Sequence, residues 1–187
     1  MIVFNKAQIK EVVSAASKDS GRMNINCVRI EPGKLIATDG HRLNVVHVGD
    51  SSGFGFDPFA ISRADAESLI KAMGAKDVCK LDVDAIGCDP REVRADVGAA
   101  SFTFKAVDSV YPDWQRLIPS GEPERVIYLT PKYLKEVAAS VERLSDVHAR
   151  RGKSVRVEIR EDLGALRFST LDGEFEAILM PQLAPKA

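Results

Sequence analysis

The sequence predicts an α+β fold made of three βαβββ repeats, with the helices on one face of antiparallel sheets. Two observations lead to this prediction. A short β-type run followed at once by a capped amphipathic helix occurs three times, and three alternating or apolar runs typical of strands follow each helix. The repeats span residues 1–50, 56–108 and 125–183, so the sheets of neighbouring repeats are expected to form a continuous surface. The alternative is a generic α+β domain whose segments resemble one another by chance.

The first repeat opens with IVFN at Ile2, followed by the helical run KAQIKEVVSAAS. Asn5 is a favourable N-cap because its side chain can accept a free amide of the first helical turn, and Gln8 completes the pattern of a capping box. The strand-like runs CVRIEP, KLIATDG and HRLNVVHV follow the helix. Its apolar stripe consists of Ile9, Val12, Val13 and Ala16.

The second and third repeats keep this order. FAIS at Phe59 ends in the N-cap Ser62, with Asp65 at the capping-box position, and IYLT at Ile127 ends in Thr130 before a proline suited to the first helical position. The strand-like runs are VCKLDVDAIG, EVRADVG and ASFTFKAV, then SVRVEIRE, GALRFST and EFEAILMP. The helical stripes are Ala66, Leu69, Ile70 and Met73 in the second repeat, and Leu134, Val137, Val141 and Leu144 in the third.

Two connectors separate the repeats. The Gly-rich segment 51–58 reads as a turn region, whereas the Pro-bearing stretch DSVYPDWQRLIPSGEPE at 108–124 is longer. A domain boundary is expected near Ser120. The sequence therefore predicts one domain of two repeats at 1–120 and a half domain of one repeat at 121–187.

Composition excludes several classes of protein. The net charge of −1 excludes a generally polycationic chain, so a nucleic-acid surface would require basic residues sorted onto one face. Cys27, Cys79 and Cys88 match neither a disulfide framework nor a zinc spacing. No apolar run is long enough to cross a membrane, and no secretory signal is evident. We expect a cytoplasmic protein without metal or cofactor.

The cluster Asp39-Gly40-His41-Arg42 lies between two apolar runs and suggests catalysis or metal binding. Asp-Gly between strands is, however, a strong hairpin signal, because glycine supplies the positive φ that the turn needs. His41 has no partners at metal-ligand spacing, and no nucleophile signature accompanies it. We therefore expect a non-enzyme, and a hydrolase centred on His41 and Asp39 is the least favoured function.

Three strings carry a family resemblance. ATDGHRL (Ala37–Leu43), YPDWQRLIP (Tyr111–Pro119) and ILMPQL (Ile178–Leu183) together resemble the bacterial sliding clamp, the β subunit of DNA polymerase III. Residues 1 to about 120 resemble the middle domain of a clamp protomer, and 121–187 resemble the second half of its third domain. Counterparts of the first domain and of the other half of the third domain are absent from the match.

The resemblance implies a hydrophobic groove that captures short linear motifs of polymerases, clamp-loader subunits and other partners. Such a slot is physically reasonable, since Met and branched aliphatic residues adapt to varied peptides while Arg holds a polar end. Gln182 stands where the family often has another Met. By the motif match the groove consists of Ile25, Thr38, Gly40, His41, Arg42, Leu43, Pro112, Arg116, Leu117, Ile178, Leu179, Met180 and Pro181.

The resemblance also implies a ring around duplex DNA, with sequence-independent contacts from the helices. A ring of twelve repeats would need four chains of three repeats, so the chain is expected to form a homo-oligomer, either a tetrameric ring or a dimer. The main alternative is a non-encircling, peptide-binding decoy or adaptor for clamp-binding proteins. The basic residues expected to face DNA are Lys6, Lys10, Arg22, Lys71, Lys132, Lys135 and Arg143.

Overall fold

The computed structural model describes residues 2–50, 56–83, 92–144, 154–159 and 164–183. It divides into two compact units, Met1–Pro119 and Ser120–Ala187. Part of the first connector, the DAIG end of VCKLDVDAIG, the RE end of SVRVEIRE and Cys88 lie outside the described residues.

Unit 1 contains the first two repeats and residues 108–119 of the connector that follows them. Its elements are β1 (Ile2–Asn5), α1 (Lys6–Ser14), β2 (Cys27–Glu31), β3 (Lys34–Thr38), β4 (Leu43–His47), β5 (Gly49–Asp50), β6 (Phe59–Ser62), α2 (Arg63–Ala72), β7 (Val78–Val83), β8 (Glu92–Val97), β9 (Ala100–Lys105) and a 3-10 turn (Trp114–Leu117). Unit 2 contains α3 (Pro131–Leu144), β10 (Arg156–Ile159), β11 (Leu166–Ser169) and β12 (Glu176–Leu179).

Unit 1 has two antiparallel sheets, ordered β5-β1-β7-β8-β9 and β4-β3-β2-β6. The first strand of the first repeat, β1, pairs with β7 of the second repeat, and the first strand of the second repeat, β6, pairs with β2 of the first. Each repeat therefore contributes its first strand to the sheet of the other repeat. The predicted α+β fold with antiparallel sheets is confirmed. The exchange of strands between repeats is a feature that the sequence pattern did not predict.

The core of unit 1 joins both sheets to both helices. The predicted stripe residues Ile9, Val12, Ala66 and Leu69 are fully buried in one apolar cluster. α1 and α2 run antiparallel against each other, as two reciprocal hydrogen bonds show. Lys6 Nζ donates to the Met73 carbonyl at the end of α2, and Arg63 Nη1 donates to the Ala16 carbonyl beyond α1, each at 2.5 Å. Both cations thus lie where a helix C-terminus is electrostatically negative.

The helix starts agree with the sequence in most respects. The capping box of Asn5 and Gln8 is present, with hydrogen bonds of 3.0 and 2.8 Å. Ser62 accepts from the Asp65 amide at 3.0 Å, but the Asp65 carboxylate accepts from the Ser62 hydroxyl at 2.6 Å instead of reaching the N-cap amide. The hydroxyl can rotate to donate once its oxygen has capped the helix, so it competes for the carboxylate.

Unit 2 is a single repeat with a three-stranded antiparallel sheet, ordered β10-β11-β12. Its buried apolar cluster is small, comprising Leu166, Phe168 and Leu179, with Ile127, Leu129 and Val137 partly buried against it. The IYLT run, predicted as a strand, makes only a single bridge in the described part of the chain, between Tyr128 and Gln182. In unit 1 the corresponding strands pair with the other repeat, and unit 2 has one repeat.

Candidate functional site

The turn between β3 and β4 holds the cluster that the sequence singled out. Gly40 has φ of 91°, a left-handed conformation that glycine adopts without strain. Asp39 Oδ1 accepts hydrogen bonds from the backbone N–H groups of His41 and Arg42 at 2.9 and 3.1 Å. Thr38 Oγ1 accepts from the Gly40 amide at 3.1 Å and donates to the Arg42 carbonyl at 2.7 Å. These side chains satisfy the backbone of a hairpin turn.

The electrostatics of the turn are structural as well. The amide of His41 contributes most to holding the pKa of Asp39 below its usual value, and the amide and side chain of Arg42 add to it. The Arg42 guanidinium contacts Asp39 Oδ2 at 3.2 Å and donates to the Ser14 carbonyl at 2.5 Å. The His41 side chain is exposed. Within the described residues no group of His, Cys, Asp and Glu could hold a metal ion.

Burial separates the sequence-predicted groove residues of unit 1 into two sets. Ile25 and Thr38 are buried, with 3% and 7% of their surface exposed, whereas residues 40–42 are exposed. Leu43 packs against the cluster that contains Tyr111 and Trp114. The structure therefore brings the β3–β4 turn and the connector to the same face of the β4-β3-β2-β6 sheet.

Trp114 anchors the connector to this face. The ring is buried against Cys27, Ile36 and Ala60, and its Nε1 donates to Glu31 Oε1 at 3.1 Å. Lys34 Nζ lies 5.4 Å from the ring centroid, within the range of a cation–π contact. The anchor fixes the connector at the 3-10 turn, from which the predicted groove residues project.

The connector's predicted groove residues are differently exposed. Pro112 is half-buried, whereas Leu117 is exposed over 65% of its surface. Arg116 forms an ion pair with Asp113 at 2.8 Å, and both side chains are largely solvated. An apolar side chain and a solvated guanidinium are thus presented side by side.

Unit 2 has a pocket of about 450 Å³ between the start of α3 and β12. Leu179 is buried at its base, whereas Ile178 and Met180 are exposed over 58% and 64% of their surface. Pro181 lies beside Gly164 and outside the pocket lining. The complete lining is Thr130, Tyr133, Glu136, Val137, Ile178, Leu179, Met180 and Gln182.

Sequence reasoning missed the helical half of this pocket. Tyr133 and Val137 are one helical turn apart and present a common face, which the spacing i, i+4 could have indicated. Gln182, noted as a departure from the family pattern, lines the pocket and donates its backbone N–H to the Tyr128 carbonyl at 2.8 Å.

The basic residues expected to face DNA have unequal freedom. The Lys6 ammonium donates a hydrogen bond to the Met73 carbonyl, and Arg22 Nη1 lies 3.4 Å from the Asp39 carbonyl. Lys132 lies 4.0 Å from Glu136. Arg143 donates to Ser140 Oγ at 2.9 Å. The remaining expected residues, Lys10, Lys71 and Lys135, are exposed on α1, α2 and α3.

In the part of the chain that the structure describes, the helices are too short and too polar to cross a membrane. Burial raises the pKa of the Cys27 thiol to about 11 and that of the Cys79 thiol to about 12, and neither forms a disulfide. These two thiols belong to the core.

Comparison with known proteins gives a consistent relationship. No protein-family model matches the chain. The beta sliding clamp of Caulobacter vibrioides (strain NA1000 / CB15N) is 28% identical over 130 residues, which cover 67% of this chain and 32% of that protein. The matched part of the chain therefore spans about a third of the length of this relative.

Solved structures extend the likeness to nearly the whole chain. The DNA polymerase sliding clamp from Pseudomonas aeruginosa superposes with a TM-score of 0.71 at 20% identity, covering 96% of this chain and 50% of that one. Caulobacter crescentus pol III beta gives 0.70 at 22% identity, covering 99% and 52%. The chain has the sliding-clamp fold, and 130 of its residues are similar in sequence to the beta sliding clamp of Caulobacter vibrioides.

Proposed function

We propose that this chain is a clamp-like processivity factor. It assembles with further copies, encircles duplex DNA without reading its sequence, and tethers a polymerase or clamp-loader subunits through a groove for short linear motifs. The observation that carries the proposal is the solvent-exposed apolar slot at the end of β12, where Ile178, Leu179 and Met180 of the family-like string line a pocket. The relationship to sliding clamps supports it.

The chemistry of the proposed groove suits a peptide with bulky apolar residues and a polar end. Met180 is flexible and polarisable, so it can adapt to different side chains. Ile178 offers branched apolar surface in the pocket of unit 2, and Gln182 supplies a polar group in its lining. The arrangement binds and orients a partner, and we assign it no catalytic role.

Peptide binding tests the groove directly. Fluorescence anisotropy of a labelled hydrophobic clamp-binding peptide should report saturable binding to the full chain. Met180→Glu places a charge in the slot and should weaken binding at least about tenfold, because apolar contacts would be replaced by a desolvated carboxylate. The matched control is Leu171→Glu, at an equally exposed residue outside the pocket lining. Absence of binding by the unmodified chain, or equal effects of the two substitutions, would contradict the groove.

DNA encirclement has a topological signature. An encircling oligomer should be retained on covalently closed circular DNA and released when the DNA is linearised. Electrostatic adhesion would instead survive linearisation and fall steeply with salt. Retention that does not depend on circularity would rule out the ring.

One observation favours the non-encircling adaptor as a second candidate. Acidic residues accompany the basic ones on all three helices, and the Lys6 head is already bound by a carbonyl. The net attraction to phosphates is thereby reduced. An adaptor would bind the peptide in the first experiment and show no circular-DNA retention in the second.

A further inference from the structure

Unit 1 shows how two repeats complete each other. Each repeat gives its first strand to the other repeat's sheet, where it pairs with the strand that follows the helix. The registers are the same in both exchanges, since the N-cap Ser62 lies opposite Cys27 and the N-cap Asn5 lies opposite Val78. The two repeats are thus related by an approximate two-fold arrangement, which the reciprocal hydrogen bonds between α1 and α2 also follow.

Unit 2 is a single repeat, but it has both parts of this exchange: a first segment that could be donated and a strand that could receive one. The receiving strands of unit 1 begin CVRIE at Cys27 and VCKLD at Val78, and the segment SVRVE, which starts at Ser154, leads into and includes the first residues of β10. All three have apolar second and fourth residues, a basic third and an acidic fifth. The basic and acidic residues contact each other at 3.4 Å in Arg29–Glu31 and at 3.1 Å in Arg156–Glu158. Ser154–Glu158 therefore corresponds to a receiving strand.

Burial distinguishes this third strand from the other two. The apolar residues at its second and fourth positions, Val155 and Val157, are exposed over 43% and 45% of their surface. The four residues at those positions in unit 1 are at most 1% exposed; they are Val28, Ile30, Cys79 and Leu81. Among the described residues β10 pairs only with β11, so its other edge has no strand beside it.

Residues 127–130, which correspond to the first strands β1 and β6 of unit 1, are also incompletely paired. Tyr128 bridges Gln182 of its own repeat, as Val3 pairs with Gly49 in unit 1. On its other side Val3 pairs with Lys80 of the second repeat, whereas Tyr128 has no second strand partner in the described ranges.

Apolar residues of α3 are likewise exposed at positions that are buried in unit 1. Counted from the N-cap, Leu134 occupies the position of Ile9 and Ala66, which are fully buried, yet Leu134 is 40% exposed. Ala138, at the position of Val13, is also exposed.

We propose that unit 2 pairs with unit 2 of a second copy of this chain and forms a composite domain of two repeats. Residues 127–130 of each copy add to the free edge of β10 in the other, and the two α3 helices pack against each other. The contact is isologous, so one symmetric event satisfies both open edges of both copies. The pairing does not depend on DNA or peptide binding.

A second copy fits better than any other occupant. The arrangement needs a partner with both a free first strand and a free receiving edge. In unit 1 these parts are already used by β1–β7 and β6–β2. Unit 2 offers both, and its strand pattern is the one that accepts such a strand twice within this chain.

The register of unit 1 fixes the expected contacts. With Thr130 opposite the partner copy's residue 154, Tyr128 lies opposite position 156 of that copy. Directly opposed residues of antiparallel strands have Cα atoms about 4.5–5.5 Å apart, which is within disulfide range. Both side chains are substantially exposed, so cysteines at these positions should leave the fold intact.

Disulfide trapping of mixed single variants tests the register. Tyr128→Cys and Arg156→Cys are purified separately as full chains, mixed and oxidised. A covalent dimer should form in the mixture and not in either variant alone, because 128 faces 156 only across copies. Mixing Tyr128→Cys with Leu171→Cys is the control, since Leu171 is exposed in the turn after β11. Equal dimer yields in all samples, or no dimer in the mixture, would overturn the proposal.

Solution mass provides a second measurement. Sedimentation of the unmodified chain at micromolar concentration should show a dimer or a multiple of it. Leu134→Glu should raise the dissociation constant at least about tenfold by placing a charge at the centre of the helix contact. Leu171→Glu should leave it unchanged. A chain that sediments only as a monomer would refute the pairing. So would an intramolecular disulfide between 128 and 156 in a chain that carries both Tyr128→Cys and Arg156→Cys.

Discussion

Trp114→Ala tests whether one side chain holds the connector on unit 1. The ring buries roughly 200 Å² with 5% of its surface exposed, so at about 25 cal/mol/Å² its transfer contributes about 5 kcal/mol at most. Residual burial in the unfolded chain lowers this value by roughly 10–40%. We therefore expect a loss of about 3–5 kcal/mol, the usual range for removing a buried Trp.

The assay is denaturant unfolding of unit 1 followed by circular dichroism, combined with tryptic cleavage after Arg116. Release of the connector should speed this cleavage, because a protease needs a locally unfolded segment. Trp114→Phe keeps most of the packing and loses the hydrogen bond to Glu31, so it should cost about 1–2 kcal/mol.

Leu117→Ala is the matched control on the same 3-10 turn. Leu117 is exposed over 65% of its surface, so its truncation should change stability by less than about 0.5 kcal/mol. If Trp114→Ala costs no more than this control, or if cleavage after Arg116 does not accelerate, Trp114 is not the anchor.

The other predictions concern three further features of unit 1. The hydroxyl of Tyr111 is buried without a hydrogen-bond partner among the described residues, so Tyr111→Phe should leave stability unchanged or raise it by up to about 1–3 kcal/mol, as measured by urea unfolding. Asp39 has a lowered pKa, so its contribution is present above the unfolded-state pKa and is lost as the pH falls through the folded-state pKa. Asp39→Asn should therefore reduce stability at pH 7 by less than about 1 kcal/mol, and the difference should disappear near pH 2 in a thermal melt. The buried thiols of Cys27 and Cys79 should react with a disulfide reagent at pH 8 only as the protein unfolds, measured in a Cys88→Ser variant; reaction in the native state would contradict their place in the core.

The order of elements and their local chemistry were predictable from sequence because they depend on neighbours in the chain. Asn5 and Gln8 form the expected capping box, and Gly40 takes the positive φ expected of an Asp-Gly turn. The stripe residues Val12 and Leu69 are fully buried, as helical spacing indicated. Periodicity, capping and turn preferences act over a few residues, so a single sequence contains them.

The candidate site was only partly predictable. The family-like strings named Leu179 and Met180, but the helical wall formed by Tyr133 and Val137 depends on how α3 lies against β12. Sequence spacing also could not show that the Arg42 guanidinium donates to the Ser14 carbonyl, or that the Lys6 ammonium donates to the Met73 carbonyl. Such contacts join residues far apart in the chain.

The sequence by itself determined the repeated βαβββ pattern, the N-caps of α1 and α2 and the buried faces of those two helices, whereas Leu134 and Leu144 of the predicted α3 stripe are exposed. Only the tertiary structure decided that β1 and β6 exchange sheets, because strand pairing is a long-range contact whose partner is chosen by packing of the whole unit. The same physics explains the third repeat. SVRVE has the pattern of a buried receiving strand, yet Val155 and Val157 are exposed, and in the described part of unit 2 no strand of a second repeat lies beside β10.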